Sequence, residues 1–329
     1  MKRLCWVAVA AVVFGSLGQL SASPVPVGHW PLNDGSGDIA HNQIPSDGTG
    51  FVGAPGIITN ADTGGAHPTE ADGLASVWVP ATDPRAADFP LGPRTVWSTG
   101  GQGARGAPNT RNADTNPDGL TPRDTAFIEA GRIPKMTYDN DFTWIYWAKT
   151  DEKIASRPGQ FSGIVGNRYA DQDPDTPGRE AHDPLQFIKF TPQGFEYFYD
   201  FNTSFKYNQD SNGDPTDLNN IPEGEWHHHA IVKREDRMTY YRDGQRWNAT
   251  EITVEMDYDF PFFMGGDDAF DDAEQWHGFL SDVALFDSAL SQADIKDIVA
   301  GTPIVPEPSS VALALIGMMM GVAQLRRRK

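Results

Sequence analysis

Cysteine is nearly absent from this sequence, which has one Cys, Cys5, in 329 residues. That residue lies in an N-terminal stretch that starts with Lys2 and Arg3, continues as an apolar run and ends at Ala22. A basic start, a short apolar run and a small final residue are typical of an export signal, so residues 1–22 are predicted to be removed after Ala22. The exported chain then lacks disulfides, and its core or bound ions must stabilise it.

Positive charge is scarce as well. The sequence has 26 Lys and Arg against 45 Asp and Glu, a formal net charge of −19. Residues 23–303 hold 20 of those basic residues and 44 of the acidic ones, so this region carries −24. Such a surface repels phosphate backbones and anionic lipid, which excludes nucleic acid as a partner. It also favours bound cations, because they relieve the repulsion among carboxylates.

Long helical patterns are rare. Short apolar runs, many alternating with period two, are separated by turn residues among the 33 Gly and 25 Pro of the chain. These patterns predict half-buried strands, and Asp243-Gly244 predicts a tight hairpin turn. The predicted strands include Val27–Leu32, Ala75–Val79, Phe142–Ala148, Leu185–Phe190, Gly194–Phe201, Trp226–Val232, Met238–Arg242 and Phe279–Phe286.

One helix is predicted, over Ser291–Ala300. Ser291 suits the N-cap, Asp294 suits the third helical position, and Leu290 with Ile295 is spaced to form a hydrophobic staple. A single short helix after many strands favours an all-β, two-sheet sandwich over residues 23–303. Within that domain, residues 83–124 have almost no apolar run and are predicted to form a long loop insertion.

Four ordered phrases resemble the laminin-G-like (concanavalin A-like) domains of exported bacterial proteins. They are GHWPLNDGSGDIAHNQ at 28–43, FTWIYWAKTDE at 142–152, EGEWHHHAIVKREDRMTYYRDGQ at 223–245 and WHGFLSDVALFDSALSQADIKDIVAG at 276–301. The resemblance implies an antiparallel jelly roll. The segment 83–124 departs from the family pattern.

Fold alone does not fix function, since relatives of this fold include lectins, adhesive modules, glucanases and lyases. The glucanase branch carries a Glu-x-Asp-x-x-Glu strand, and the nearest text here, Glu251 to Asp257, has the wrong spacing. We therefore expect a non-catalytic envelope or matrix protein that binds extracellular polysaccharide. The alternatives are a structural or adhesion protein without a small-molecule site and, third, a glycan-active enzyme.

The C-terminus, residues 304–329, joins three parts in order: a Pro-Glu-Pro, an apolar run over Val311–Leu325 and a basic cluster. This order resembles the PEP-CTERM sorting signal of Gram-negative bacteria. The resemblance implies processing by an exosortase and membrane contact, transient or permanent, through the short apolar run. The chain is thus expected in the cell envelope or outside the cell. The residues that carry the resemblance are Pro306, Glu307, Pro308, Arg326, Arg327 and Arg328.

Acidic loops are the candidate calcium sites. Oxygen side chains at positions 1, 3 and 5 of a loop can wrap a hard cation, although the same residues also build ordinary polar turns. No loop has the Glu at position 12 that would complete an EF-hand. The candidates are Asp114, Asn116 and Asp118, then Asp210, Asn212 and Asp214, and third Asp171, Asp173 and Asp175.

Asp282 is a further candidate by resemblance. Relatives often hold a structural calcium between the first and last strands, and Asp282 matches their strand aspartate. Backbone near Asn33 and Asp34 could complete that shell. The alternative is a hydrogen bond from Asp282 that ties the two terminal strands together.

Three consecutive histidines, His227, His228 and His229, suggest a metal site at first. Side chains alternate faces in a strand, so neighbouring histidines point apart and cannot grip one ion together. We expect Trp226 and His228 to share one face, with His228 at the family's inward position in the core, and His227 and His229 to share the other. By the same alternation Phe195, Tyr197 and Tyr199 share one face, and Trp144 and Tyr146 share another; these are the candidate aromatic faces for sugar binding.

Overall fold

The computed structural model describes residues 24–46, 55–60, 78–98, 126–132, 140–150, 164–167, 186–190, 195–199, 204–205, 224–251, 261–266 and 278–305. Within these ranges the chain forms sixteen strands and two helices. The strands are β1 (Gly28–Trp30), β2 (Ile39–Ala40), β3 (Gly56–Asn60), β4 (Trp78–Val79), β5 (Val96–Ser98), β6 (Ala126–Arg132), β7 (Phe142–Thr150), β8 (Val165–Gly166), β9 (Gln186–Phe190), β10 (Phe195–Tyr199), β11 (Ser204–Phe205), β12 (His227–Arg234), β13 (Arg237–Arg242), β14 (Gln245–Glu251), β15 (Pro261–Met264) and β16 (Gly278–Phe286). The helices are α1 (Pro84–Ala87) and α2 (Gln292–Val299).

The strands form two antiparallel sheets. Sheet A has the order β14-β13-β12-β7-β16-β5-β4, and β1 also pairs with β16. Sheet B has the order β11-β10-β9-β8-β15-β6-β3-β2. The first and last strands of the domain therefore lie side by side. This architecture confirms the predicted all-β fold, a two-sheet antiparallel jelly-roll sandwich with one short C-terminal helix.

The main core lies between the two sheets. Alternation along β7 directs Trp144 and Tyr146 from sheet A into this space, where both are buried. Phe262 of sheet B meets them, with its ring centroid 5.2 Å from that of Trp144 and 5.9 Å from that of Trp30. Burying each such side chain stabilises the fold by roughly 2–3 kcal/mol, so this face alone accounts for a large part of the stability.

The other face of sheet A is also buried over much of its width. Helix α2 covers one part, with Ile295 and Ile298 packed against Ile145 and Val232. Ser291 caps this helix: its side chain accepts from the Asp294 N–H, and the Asp294 carboxylate accepts from the Ser291 N–H at 2.8 Å. The helix and its cap confirm the prediction, because a capping box satisfies orphan donors locally.

Residues 83–95, which lead into β5, cover a second part of this outer face. Phe89 packs edge-on against Trp147 and Trp226, at centroid distances of 5.4 and 5.0 Å. The Asp88 carboxylate accepts hydrogen bonds from Lys149 Nζ at 2.7 Å and from Trp226 Nε1 at 3.2 Å.

The structure differs from the expectation of a loop insertion over 83–124, because residues 83–98 contain α1 and β5. Strand β5 pairs with β4 and with β16. Val96 and Trp97 form a short apolar run among many turn residues, and both side chains are buried in the fold. Residues 99–124 lie outside the described part of the chain.

The sorting residues at 306–308 and 326–328, and the apolar run over Val311–Leu325, also lie outside the described residues. In the part that is described, neither helix has the length and apolar character needed to cross a membrane.

Candidate functional site

The predicted calcium loops fall outside the described residues: this applies to Asp114, Asn116 and Asp118, to Asp210, Asn212 and Asp214, and to the third triplet at 171–175. Across the residues that are described, no three His, Cys, Asp or Glu side chains are grouped so that they could hold a metal ion. The loop sites therefore stay predictions.

Asp282 lies where β1 and β16 meet. Its carboxylate accepts a hydrogen bond from His29 Nε2 at 3.3 Å and forms an ion pair with the Arg94 guanidinium. The backbone N–H of Asp282 donates to the Pro31 carbonyl at 3.2 Å. Asp282 has a φ of 49°, in the left-handed region that aspartate tolerates better than most residues. The β16 register shifts between Ser281 and Ala284, so a bulge turns this carboxylate towards β1.

These contacts do not fit a calcium site at Asp282. Its two oxygens already face donors, one of them a permanent cation, and a second cation there would be repelled. The Asp34 carboxylate accepts hydrogen bonds from His41, and the expected backbone ligands near Asn33 and Asp34 stay a prediction. The geometry matches the alternative prediction, a hydrogen bond that ties the first strand to the last.

The three histidines alternate between the faces of sheet A, as predicted. His229 points into the space between the sheets, stacked on Tyr146 with ring centroids 4.9 Å apart. Its Nδ1 is hydrogen-bonded to the Tyr240 hydroxyl at 2.8 Å. Burial away from water lowers the pKa of His229 well below its usual value, so the ring is neutral.

His228 corrects one expectation. It is buried beside Trp226 and meets Trp147 edge-on at 5.2 Å, but on the outer face of sheet A rather than between the sheets. Among the described residues neither of its ring nitrogens has a hydrogen-bond partner, whereas a hydrogen-bonded core histidine was expected. Burial lowers the pKa of His228 to about 4. The reason is that helix α2 and residues 83–98 create a second core on the outer face, so an outward histidine is also buried.

The hairpin β13–β14 carries an exposed aromatic side chain. Trp247 is 46 % exposed, and the Arg242 guanidinium lies 3.8 Å from the centroid of its ring. Arg242 and Gln245 are paired across a turn in which Asp243 and Gly244 both have positive φ, as the predicted tight hairpin requires.

Asp243 connects this turn to β12. Its carboxylate accepts from His227 Nδ1 at 2.8 Å and from the backbone N–H of His228 at 2.9 Å. Partial burial disfavours the charged form, but these two hydrogen bonds outweigh it, so the pKa of Asp243 lies below its ordinary value. The carboxylate is thus ionised at neutral pH and holds the hairpin in place. We call Trp247, Arg242, Asp243 and His227 the hairpin cluster.

The hairpin cluster contains functional candidates that sequence reasoning missed. The aromatic residues predicted as candidates for sugar binding are Phe195, Tyr197, Tyr199, Trp144 and Tyr146. Trp144 and Tyr146 are buried, and nothing is described of the side chains on β10. The signal in the sequence is a Trp three residues after the predicted hairpin turn and five residues from Arg242.

Comparison with known proteins gives two family matches. A family model described as the concanavalin A-like lectin/glucanases superfamily, of laminin-G type, matches residues 122–296. A model of the PEP-CTERM protein-sorting motif matches residues 305–329. The second motif indicates export and C-terminal sorting in Gram-negative bacteria. No curated protein sequence matches the chain.

Solved structures of binding domains are similar in outline. One is domain 4 of AbnA, an extracellular arabinanase from Geobacillus stearothermophilus, in complex with arabinotriose: identity is 12 %, the TM-score is 0.48, and the match covers 84 % of this chain and 99 % of that one. Another is the botulinum neurotoxin serotype D binding domain, with 14 % identity and a TM-score of 0.36, covering 54 % of this chain and 40 % of that one. The chain thus spans less than half of the toxin domain.

Proposed function

The chain belongs to the concanavalin A-like lectin/glucanases superfamily, and from this premise we propose that it is an exported, non-catalytic protein that binds polysaccharide in the cell envelope or outside the cell. The fold by itself leaves the function open, so the proposal depends on a surface that suits a sugar.

The observation that carries the proposal is the exposed Trp247 in the hairpin cluster. Sugars bind proteins through an aromatic face that packs against their C–H groups, together with polar groups that orient the hydroxyls. Trp247 supplies the aromatic surface, and Arg242 and the ionised Asp243 supply donors and acceptors beside it. The hydrogen bonds from β12 to Asp243 fix the turn, so these groups are ordered before a ligand arrives.

The test is binding of the exported protein to a glycan array, followed by titration of the best polysaccharide. Trp247→Ala should weaken binding about tenfold or more, which corresponds to about 1.4 kcal/mol, while Trp247→Phe keeps an aromatic face and should retain most of it. Leu91→Ala, at another exposed apolar residue, is the matched control and should change nothing.

Two results would overturn the proposal: no glycan signal for the wild type, or equal affinity of wild type and Trp247→Ala. The first result would favour a structural or adhesion protein without a small-molecule site. A glycan that is cleaved during the titration would favour the enzyme.

We propose calcium as a stabilising ion held by the acidic loops, chiefly Asp114, Asn116 and Asp118 or Asp210, Asn212 and Asp214. The support is the −24 formal charge of residues 23–303. Calcium should raise the melting temperature and a chelator should reverse it. Asp→Asn changes in the loop that binds should abolish the shift, and the absence of any shift in the wild type would contradict the proposal.

We also propose an exosortase-type enzyme as the partner that processes the C-terminus, supported by the motif over residues 305–329. Mass spectrometry of the exported protein should find a C-terminus lacking the basic residues 326–329. Replacing Glu307 with Ala should leave the tail intact, and normal removal from that variant would contradict this partner.

A further inference from the structure

The two pieces that cover the outer face of sheet A leave a cavity between them. The end of helix α2 and the residues after it form one wall, and the segment before β5 forms the other. The cavity has a volume of about 230 Å³, and several exposed residues border it, so solvent reaches it. We call it the outer pocket. The side chains that matter for its chemistry are those of His29, Arg94, Trp147, Asp282, Ile298 and Ile304.

Three polar side chains from distant parts of the chain meet in the outer pocket. His29 comes from β1, Asp282 from the bulge in β16, and Arg94 from the segment before β5. The carboxylate of Asp282 holds the other two, one on each oxygen. The side chain of His29 is only 6 % exposed and that of Asp282 10 %, so both polar groups lie in the buried floor of the cavity. A small number of fixed polar groups in such a cavity is typical of a ligand site.

The fold leaves part of the hydrogen-bonding capacity of this cluster unused. A carboxylate only accepts, so Nε2 of His29 carries the hydrogen, and the lone pair of the neutral ring is on Nδ1. That Nδ1 is buried and has no hydrogen-bond partner in the described part of the chain. Within the same part, Asp282 is the one acceptor of Arg94, whose guanidinium has five N–H groups. The outer pocket thus offers one free acceptor beside free donors.

These groups are held in place before a ligand arrives. The backbone N–H of His29 donates to Asn42 Oδ1 at 3.0 Å, and its carbonyl accepts from the Gln43 N–H at 2.8 Å. The guanidinium of Arg94 lies 5.1 Å from the centroid of the Phe89 ring, a cation–π contact on the side away from solvent. A ligand therefore binds without the entropic cost of ordering these side chains.

The charge of the outer pocket selects for a neutral ligand. Arg94 and Asp282 are the charged side chains among the described residues that line it, and they neutralise each other. An anion would be repelled by the carboxylate, and a cation by the guanidinium. Apolar surface from Trp147, Ile298 and Ile304 lines the same space. An uncharged molecule with hydroxyl groups on an apolar ring has the matching chemistry.

We propose that the outer pocket binds one neutral sugar unit, with one hydroxyl donating to His29 Nδ1 and a neighbouring hydroxyl accepting from Arg94. Pockets for drug-sized ligands have volumes of ~300–1,000 Å³, so this smaller cavity takes a single ring and not a length of chain. The hydroxyl on Nδ1 also removes the cost of a buried acceptor without a donor. The inference rests on the proposed function, since it takes a sugar as the ligand, but the pocket shares no residue with the hairpin cluster.

The experiment is calorimetric titration of the exported protein with glucose, galactose, mannose and arabinose. At least one should bind with a dissociation constant in the millimolar range or below, and the affinity should not change with salt because the ligand is neutral. His29→Phe keeps a ring of similar shape but removes the acceptor, and should weaken binding about tenfold or more.

Arg94→Lys is the second variant. It keeps the positive charge opposite Asp282, so the fold is retained, but it replaces a fixed fork of donors by a flexible ammonium. It should weaken binding about fivefold or more. Leu91→Ala is the matched control, because it removes an exposed apolar side chain from the same pocket and no polar group, and it should bind as the wild type does. Thermal unfolding verifies that each variant is folded.

Absence of binding for all these sugars would overturn the proposal. So would wild-type affinity in both His29→Phe and Arg94→Lys, an equal loss in Leu91→Ala, or an affinity that falls as salt is raised. Trp247→Ala should leave the binding of the single sugar unchanged. Polysaccharide binding that depends on Trp247, without any binding of a single sugar, would therefore refute the outer pocket and leave the proposed function standing.

A sugar unit of this kind has two sources, the end of a polysaccharide and a free monosaccharide, with the same hydroxyl chemistry. A trisaccharide of the sugar that binds distinguishes them. Equal affinity for the trisaccharide and the monosaccharide, both sensitive to His29→Phe, identifies the end of a chain. Binding of the monosaccharide alone identifies the free sugar.

Discussion

The two faces of sheet A differ in how they are covered. The inner face meets sheet B and is buried through an aromatic cluster around Trp144, Tyr146 and Trp30. The outer face is covered by two separate pieces, helix α2 and residues 83–95. One sheet thus forms a core wall on both sides, with a different covering on each.

The adjacent histidines show what this difference means for single residues. His229, on the inner face, has a stacked ring and a hydrogen bond. His228, on the outer face, is equally buried, but neither of its nitrogens has a hydrogen-bond partner within the described part of the chain. A neutral, unpartnered imidazole is tolerated because it packs edge-on against Trp147.

The largest effect is expected on the inner face. Trp144→Ala should lower the free energy of unfolding by about 4 kcal/mol, since it removes a buried indole between the sheets and leaves a cavity. Urea denaturation measures this loss. Trp247→Ala, at an exposed indole, should lower the free energy of unfolding by less than about 1 kcal/mol. Equal losses for the two variants would contradict the assignment of Trp144 to the core and Trp247 to the surface.

Acid should act through the buried histidines on both faces of sheet A, His228 on the outer face and His229 on the inner one. The folded protein keeps His228 neutral down to a pKa of about 4, while the unfolded chain takes up the proton near 6.5. The unfolded state then binds more protons between these values, so stability present above pH 6.5 is lost as the pH falls to about 4, by roughly 3 kcal/mol. His228→Phe should flatten this slope in denaturation curves measured from pH 7 to 4.

His229 has a pKa shifted in the same direction, so His228→Phe should leave part of the acid sensitivity. Trp247→Phe, at an exposed ring that carries no titratable group, is the control and should leave the slope of the wild type. An unchanged slope in His228→Phe would show that this residue is not protonated on unfolding.

Asp282 joins the edges of the two terminal strands. Asp282→Asn keeps a residue that tolerates the positive φ but removes the charge opposite Arg94, and should cost about 2 kcal/mol. Asp282→Ala should cost about 1 kcal/mol more, because alanine tolerates this backbone less well. Chemical denaturation with and without a chelator checks the interpretation: if the chelator removed the difference between wild type and variant, Asp282 would be a calcium ligand.

The smallest effect is expected at the helix that covers the outer face. Ser291→Ala should cost about 1 kcal/mol by removing the capping hydrogen bond to Asp294. The change in melting temperature measures it, with Ser288→Ala as a nearby control expected to cost less than about 0.5 kcal/mol. A larger loss for Ser288→Ala would mean that the cap is not what fixes α2.

Local features were predictable from the sequence. The capping box of α2 and the Asp243-Gly244 turn involve residues close in the chain, so their patterns are visible without a structure. The alternation of the three histidines follows from strand geometry alone. The sequence did not show that both faces of sheet A are buried, because burial of the outer face depends on α2 and the segment before β5, which pack against it.

The candidate sites show the same limit. The hairpin cluster needs the pairing of β12 with β13, which brings His227 to Asp243 although 16 positions separate them. Likewise, Arg94 could not be recognised as the partner of Asp282, since 188 residues separate them. Long-range pairing decides such sites, and single residues do not reveal it.

The pairing of β1 with β16 has a consequence for the topology of the domain. Pro24 and Ile304 border the same cavity, and the Val27 N–H donates to the Leu285 carbonyl at 2.7 Å. The two ends of the described domain thus lie close together, and a linker of a few residues could join Ile304 to Pro24. A circular permutant with that linker should keep both sheets. A tether attached at Pro24 or at Ile304 would hold the domain from the same side, because the two residues border one cavity.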